Sequence, residues 1–161
     1  EALAEALALA FAHDDKVLVE EHLDGEEIEC GVLGDDDPVA SVVGRIVVLR
    51  GTWYDYEAKY AEGGSDLAIP AGLPAAAEER VRDLAVRGFV ACDCAGMARV
   101  DFFHTAAGEV VLNEINTIPG FTATSYYARL FAATGVPYAD LLDRLVQMAL
   151  ARHRRAEALA H

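Results

Sequence analysis

The stretch Arg99-Val-Asp101-Phe-Phe-His-Thr-Ala-Ala-Gly108-Glu-Val-Val-Leu-Asn-Glu114-Ile-Asn116 decides the fold. Two runs rich in β-branched and aromatic residues, 97–104 and 109–116, flank Thr105-Ala-Ala-Gly108, so the pattern predicts an antiparallel hairpin. With 105–108 as the whole loop, His104 pairs with Glu109, Asp101 lies opposite Leu112, and Arg99 lies opposite Glu114. Side chains alternate across a strand, which puts Arg99, Asp101, Glu114 and Asn116 on one face and Val100, Phe102, Val111 and Ile115 on the other. The apolar face is core, and the polar face is where chemistry can happen.

On that register Asp101 and Glu114 are diagonal neighbours, about 7–8 Å apart along the backbone and able to converge on one cation. Oxygen ligands of the Asp, Glu and Asn type select Mg²⁺ or Mn²⁺ over zinc, and Mg²⁺ is held by one or two carboxylates together with substrate phosphates. The plainer alternative is a solvated hairpin face whose Arg99–Glu114 pair contributes a few tenths of a kcal/mol. A slip of one residue would send the two carboxylates to opposite faces. Beyond the hairpin, Asn116-Thr-Ile-Pro119-Gly120-Phe-Thr restricts Ile118 to extended backbone and lets Gly120 approach a ligand, so an exposed N–H that can meet an oxyanion is expected there. An ordinary strand-to-helix turn has the same composition.

Outward from this centre, element types alternate and no repeat is found. Residues 2–13 read as the end of a buried helix, 16–20 as a buried strand, and 26–34 with 39–49 as a hairpin around Gly34-Asp-Asp-Asp-Pro38. Residues 50–74 carry several glycines without periodicity and read as a long functional loop. Helices are predicted over 75–88, closed by Arg87-Gly88, over 125–134, and over 137–155, with Arg152, Arg154 and Arg155 in a closing turn that suits cations. His13, His22, His104, His153 and His161 have no ligand spacing, and Tyr126-Tyr127 suits a helix packed on the core.

The chain has 161 residues, 53% hydrophobic and 25% charged, enough for one folded domain with a core and a poor match to a disordered or fibrous chain. Its formal net charge of -14 argues against nucleic acid or an anionic membrane as partner and leaves small ligands and cations open. No apolar run approaches the roughly 20 residues of a membrane span, and residues 1–12 lack a signal-peptide pattern. Cys30, Cys92 and Cys94 suit neither a disulfide framework nor zinc and read as free thiols of a reducing compartment, the last two buried before Gly96. A chain that opens mid-helix without Met reads as a fragment.

Three stretches together carry a family resemblance: Gly51-Thr-Trp-Tyr54-Asp-Tyr-Glu-Ala-Lys59-Tyr60, Gly96-Met-Ala-Arg99-Val-Asp101, and Asn113-Glu114-Ile-Asn116-Thr-Ile-Pro-Gly120-Phe-Thr. In this order and spacing they resemble the C-terminal part of the D-alanine–D-alanine ligases of the ATP-grasp superfamily, over residues 1 to about 150. The resemblance implies an α+β fold, an ATP-grasp C-terminal subdomain with a mainly antiparallel sheet flanked by helices. Residues 1–22 would end the lid subdomain and supply the adenine-contacting strand. Residues 23–161 would form the catalytic subdomain, with 50–74 as its mobile ω-loop.

The implied reaction phosphorylates one D-alanine carboxylate with ATP, after which the amine of a second D-alanine attacks the acyl phosphate. Asp101, Glu114 and Asn116 would hold two Mg²⁺ (or Mn²⁺) ions, while Arg99 and the Gly120 N–H would stabilise the oxyanion. Glu20, Glu21 and Leu23 would border adenine, although Glu21 stands where the family often has Lys, and Glu27 would accept from the ribose. Lys59 would reach the transferred phosphate, Tyr54 and Tyr60 would close the site, and Ser125 would hold the second D-alanine's carboxylate or serve as a helix N-cap. The family's N-terminal domain and most of its lid have no counterpart here, so the implied partner is the missing part of a cytoplasmic bacterial enzyme, a homodimer when full length, that is inactive as this fragment. Another ATP-grasp carboxylate–amine ligase and a non-catalytic nucleotide- or metal-binding module are the alternatives.

Overall fold

A computed structural model describes residues 2–48 and 65–159. Helix α1 (Ala2–Phe11) leads through an irregular segment into strands β1 (Gly25–Gly34), β2 (Val39–Val48) and β3 (Ser65–Ala68). Helix α2 (Ala75–Ala91), strands β4 (Gly96–Thr105) and β5 (Val110–Asn116), and helices α3 (Tyr126–Ala133) and α4 (Tyr138–Leu159) follow. The strands form one antiparallel sheet in the order β3-β2-β1-β4-β5. The α+β architecture expected from sequence, a sheet flanked by helices, is the one observed.

The reverse face of the sheet packs against α2, whose Val81, Ala85 and Phe89 recur at helical spacing and are fully buried. They meet Ile28, Cys30 and Val32 of β1 and Ala98, Val100 and Phe102 of β4, which alternate along their strands as a half-buried sheet requires. Helix α2 runs through Gly88 instead of stopping there. A Cβ at Gly88 would lie 3.0 Å from Leu112 and 3.1 Å from Ile115, so this glycine serves close packing on β5, and the helix ends at Cys92 and at Asp93, whose φ is 51°.

The front face is half covered by α3 and α4. Tyr127 and Phe131 of α3 sit over Gly31, where a Cβ would come within 2.7 Å of the Phe131 ring, and the Tyr127 hydroxyl donates to the Val32 carbonyl at 2.9 Å. Helix α4 extends past the predicted end, so its arginines lie before the last turn. Two of them are held by the β1–β2 turn: Arg152 pairs with Asp35, Arg155 donates to Asp36 at 2.9 Å, and Asp35 also accepts the Gly96 N–H at 2.9 Å.

Four other expectations change. Helix α1 forms but buries none of its residues. Residues 16–20 have no regular structure and pair with no described strand, and Leu18 and Val19 are largely exposed, since an apolar run becomes a strand only beside a partner. Part of the expected long loop is β3, which pairs with β2 from Arg45↔Ala68 to Val48↔Ser65. Cys92 is exposed and Cys94 half-buried, whereas Cys30 is buried and its thiol is pushed up to about 12 by desolvation, leaving it protonated and inert.

Candidate active site

The β4–β5 hairpin differs from the simple register in two places. Its loop takes in Glu109, with Thr105 donating to the Glu109 carbonyl at 2.9 Å, so His104 pairs with Val110 instead of Glu109. A bulge at Asn113 then shifts pairing again, between Asp101↔Glu114 and Phe102↔Leu112. Each displacement alone would reverse the faces of β5; together they restore them at the site. Asp101 therefore lies directly opposite Glu114, and Arg99 opposite Asn116, in place of the expected diagonal and of the Arg99–Glu114 pair. Between loop and bulge the shift is single, and Val111 consequently pairs with Phe103 on the front face, while Val110 packs on the reverse core.

With β1 included, the front face carries cross-strand rows. Glu29, Asp101 and Glu114 form one, Gly31, Arg99 and Asn116 the next, and Glu27 stands opposite Phe103 on the other side. Arg99 grips Asp101 with two parallel bonds, Nε to Oδ1 at 2.8 Å and Nη2 to Oδ2 at 2.7 Å, and its Nε lies 3.2 Å from the Glu29 Oε1. Glu29 and Arg99 side chains are only 3% and 9% exposed. A bidentate guanidinium–carboxylate pair in such a place is strong and directional.

Two carboxylates around one guanidinium, with Glu114 beside them, leave an excess of negative charge. The donors Asp101, Glu114 and Asn116 are hard oxygens on one face, which fits Mg²⁺ or Mn²⁺ held by two carboxylates with further ligands from a phosphate. Among the described residues no group of three or more His, Cys, Asp or Glu forms a protein-only cage. Asn116 Oδ1 accepts the Ile118 N–H at 3.1 Å, turning the chain toward Pro119 and Gly120. Gly120 is exposed beside Ser125, the position a Cβ would face at 3.9 Å. Ser125 stands at the N-cap of α3 but makes no capping bond; its hydroxyl donates to the Thr122 carbonyl at 2.8 Å.

The expected adenine-side residues Glu20, Glu21 and Leu23 lie in the irregular segment before β1, with both glutamates exposed. Tyr54, Lys59 and Tyr60 lie outside the described residues. Glu29 is the residue that sequence reading missed. Its signal was present, since it alternates with Glu27 and lies two residues from it on β1, but only the β1–β4 pairing brings it to Asp101.

The family model described as D-ala D-ala ligase C-terminus matches residues 1–147. The chain belongs to that family. It is 50% identical over 152 residues to the D-alanine–D-alanine ligase of Acetivibrio thermocellus, covering 94% of this chain and 40% of that protein. It is 48% identical over 156 residues to D-alanine–D-alanine ligase A of Salmonella typhimurium, covering 96% and 43%. Among solved structures, the D-alanine–D-alanine ligase of Coxiella burnetii superimposes with a TM-score of 0.85 at 35% identity, over 98% of this chain and 41% of that one. The Bacillus anthracis ligase complexed with ATP gives 0.76 at 28% identity, over 97% and 48%. The chain thus spans less than half the length of these family members. Among the described residues no helix is long and apolar enough to cross a membrane.

Proposed function

We propose that this chain carries the metal- and phosphate-facing part of an ATP-dependent D-alanine–D-alanine ligase and works within a longer polypeptide that supplies the first D-alanine site and most of the lid. The observation that carries this reading is the front-face row of Asp101 opposite Glu114, with Arg99 clamped on Asp101 and Gly120 beside Ser125. Residues 1–22 end the lid and reach the adenine strand; residues 23–161, with the ω-loop at 50–74, form the catalytic subdomain.

Asp101, Glu114 and Asn116 hold the two Mg²⁺ (or Mn²⁺) ions in this reading. Bound there, the metal supplies neutralisation of phosphate charge as it moves to the carboxylate. Arg99 and the Gly120 N–H aim positive charge at the tetrahedral oxyanion formed when the amine attacks. Ser125 orients the carboxylate of the second D-alanine. Glu27 accepts from the ribose, Glu20, Glu21 and Leu23 border adenine, Lys59 reaches the transferred phosphate, and Tyr54 and Tyr60 help close the substrate site. ATP as nucleotide is supported by the Bacillus anthracis ligase, solved with ATP bound. Cytoplasmic location and a full-length homodimer belong to the same proposal.

The test is ATP- and D-alanine-dependent phosphate release by the full-length polypeptide and by this chain alone. Full-length protein is expected to turn over and the 161-residue chain to be inactive. Asp101→Asn and Glu114→Gln should each lower kcat at least about 100-fold, the size of a lost charge-stabilising contact. Calorimetry with Mg-ADP should lose its metal dependence in the same variants; metal dependence that survives both substitutions overturns the site assignment.

A further inference from the structure

Arg99 is asked to do two things that conflict. Its Nε and Nη2 occupy both oxygens of Asp101, at 2.8 and 2.7 Å, yet those oxygens are the ones proposed for a divalent cation. Once Asp101 turns to a cation, the guanidinium loses its bidentate partner and, on a two-residue tether to it, would be free to swing away from the place where an oxyanion forms. A second anchor is already in position. Glu29 lies across β1 from Asp101, is 3% exposed, and places Oε1 3.2 Å from the Arg99 Nε. Neither Glu29 nor Arg99 faces open water, so their attraction is little screened. The row also limits where Arg99 can go: its own cross-strand neighbour is Gly31, which offers no side chain and is roofed by Phe131 and Tyr127.

We propose that Glu29 is a positioning residue for Arg99: it retains the guanidinium on the front face while Asp101 is shared with a cation. Glu29 needs no contact with substrate, nucleotide or metal for this effect, which separates it from the residues that meet them.

The activity readout rests on the ligase reading; a second readout does not. In the full-length protein, Glu29→Gln keeps the shape and removes the charge, and it should lower kcat about 10-fold or more while KM for ATP stays within about 2-fold, as for loss of an outer residue that orients a catalytic one. In protein labelled with ¹⁵N-arginine and saturated with Mg²⁺, with the resonance assigned by Arg99→Lys, the Arg99 Nε–H should exchange with solvent about 10-fold faster in Glu29→Gln than in wild type. Glu29→Asp keeps the charge and should recover at least half of the lost kcat, on a logarithmic scale, and of the exchange protection. Unchanged Arg99 exchange in Glu29→Gln overturns the proposal whatever the activity does, as does a Glu29→Asp protein as impaired as Glu29→Gln. If Glu29→Gln does not fold, Glu29→Asp decides alone: kcat and Arg99 exchange within about 3-fold of wild type support the proposal, and larger losses in both sink it. Wild-type protein without ATP- and D-alanine-dependent turnover defeats the ligase reading and leaves the exchange measurement standing.

Discussion

The two faces of strands β1 and β4 are built from neighbouring residues of the same chain and end in opposite physical regimes. On the reverse face Ile28, Cys30, Val32, Ala98, Val100 and Phe102 are closed under α2. On the front face Leu33 and Gly31 are closed under the aromatics of α3, while Glu29 and Arg99 are buried as charges beside the half-buried Asp101. Burying apolar atoms is favourable wherever they fit. Burying charges is favourable only when each finds a partner, so the front face holds an ion-pair cluster where the reverse face holds plain packing. The rigid reverse face gives the front one its geometry.

That contrast can be broken at several points. Phe89→Ala strikes the reverse face alone and should cost about 3–5 kcal/mol in urea denaturation, because a fully buried ring leaves a cavity. Mg-ADP binding, read well below the melting temperature, should survive; a selective loss of binding with stability intact would show that the faces are not separable as described. Gly31→Ala strikes the boundary between the apolar and charged halves of the front face. Its Cβ would press on Phe131 at 2.7 Å, costing about 1–3 kcal/mol, and because Arg99 is the cross-strand neighbour of Gly31 it should also lower ligation rate. Wild-type stability would mean that the α3 aromatics yield more easily than close packing implies.

Tyr127→Phe removes one buried bond to the Val32 carbonyl and should cost about 1 kcal/mol without touching kcat. The smallest effect sits at the rim. Arg129 donates to Asp66 at 2.7 Å and holds its carboxyl below the usual range, which ties β3 to α3. A folded pKa below the unfolded one, about 3.9, means that the pair adds stability above that pH and loses it as pH falls through the lowered value. Asp66→Asn should therefore flatten the acid limb of the stability–pH curve, by only a few tenths of a kcal/mol because solvent screens an exposed pair. An acid limb identical to wild type would refute the assignment.

Much of this was legible in the residues themselves. Alternation in 97–104 and the apolar spacing of Val81, Ala85 and Phe89 are local properties, and they announce strands and helix without reference to the rest of the chain. The three family stretches named the candidate site by residue type and order. What could not be read locally concerns partners. Residues 16–20 look like a strand yet pair with no described strand, and α1 looks like a core helix yet buries nothing. The register of β5 depended on a loop one residue longer than its turn signal and on a bulge at Asn113 that no composition marks; the expected sharing of a face by Asp101 and Glu114 held because the two shifts combine.

Sequence alone determined the element types, the acidic balance and the identity of Arg99, Asp101, Glu114 and Asn116 as residues with oxygen and guanidinium chemistry, because periodicity and residue type are properties of short windows. Only the tertiary structure decided that Glu29, some seventy residues before Arg99, shares its guanidinium, that Gly31 makes room for α3, and that Asp35 holds Arg152 and Arg155 of α4. Those outcomes depend on which strand lies beside which, and sheet pairing is a long-range choice made by the burial of whole faces rather than by any one segment.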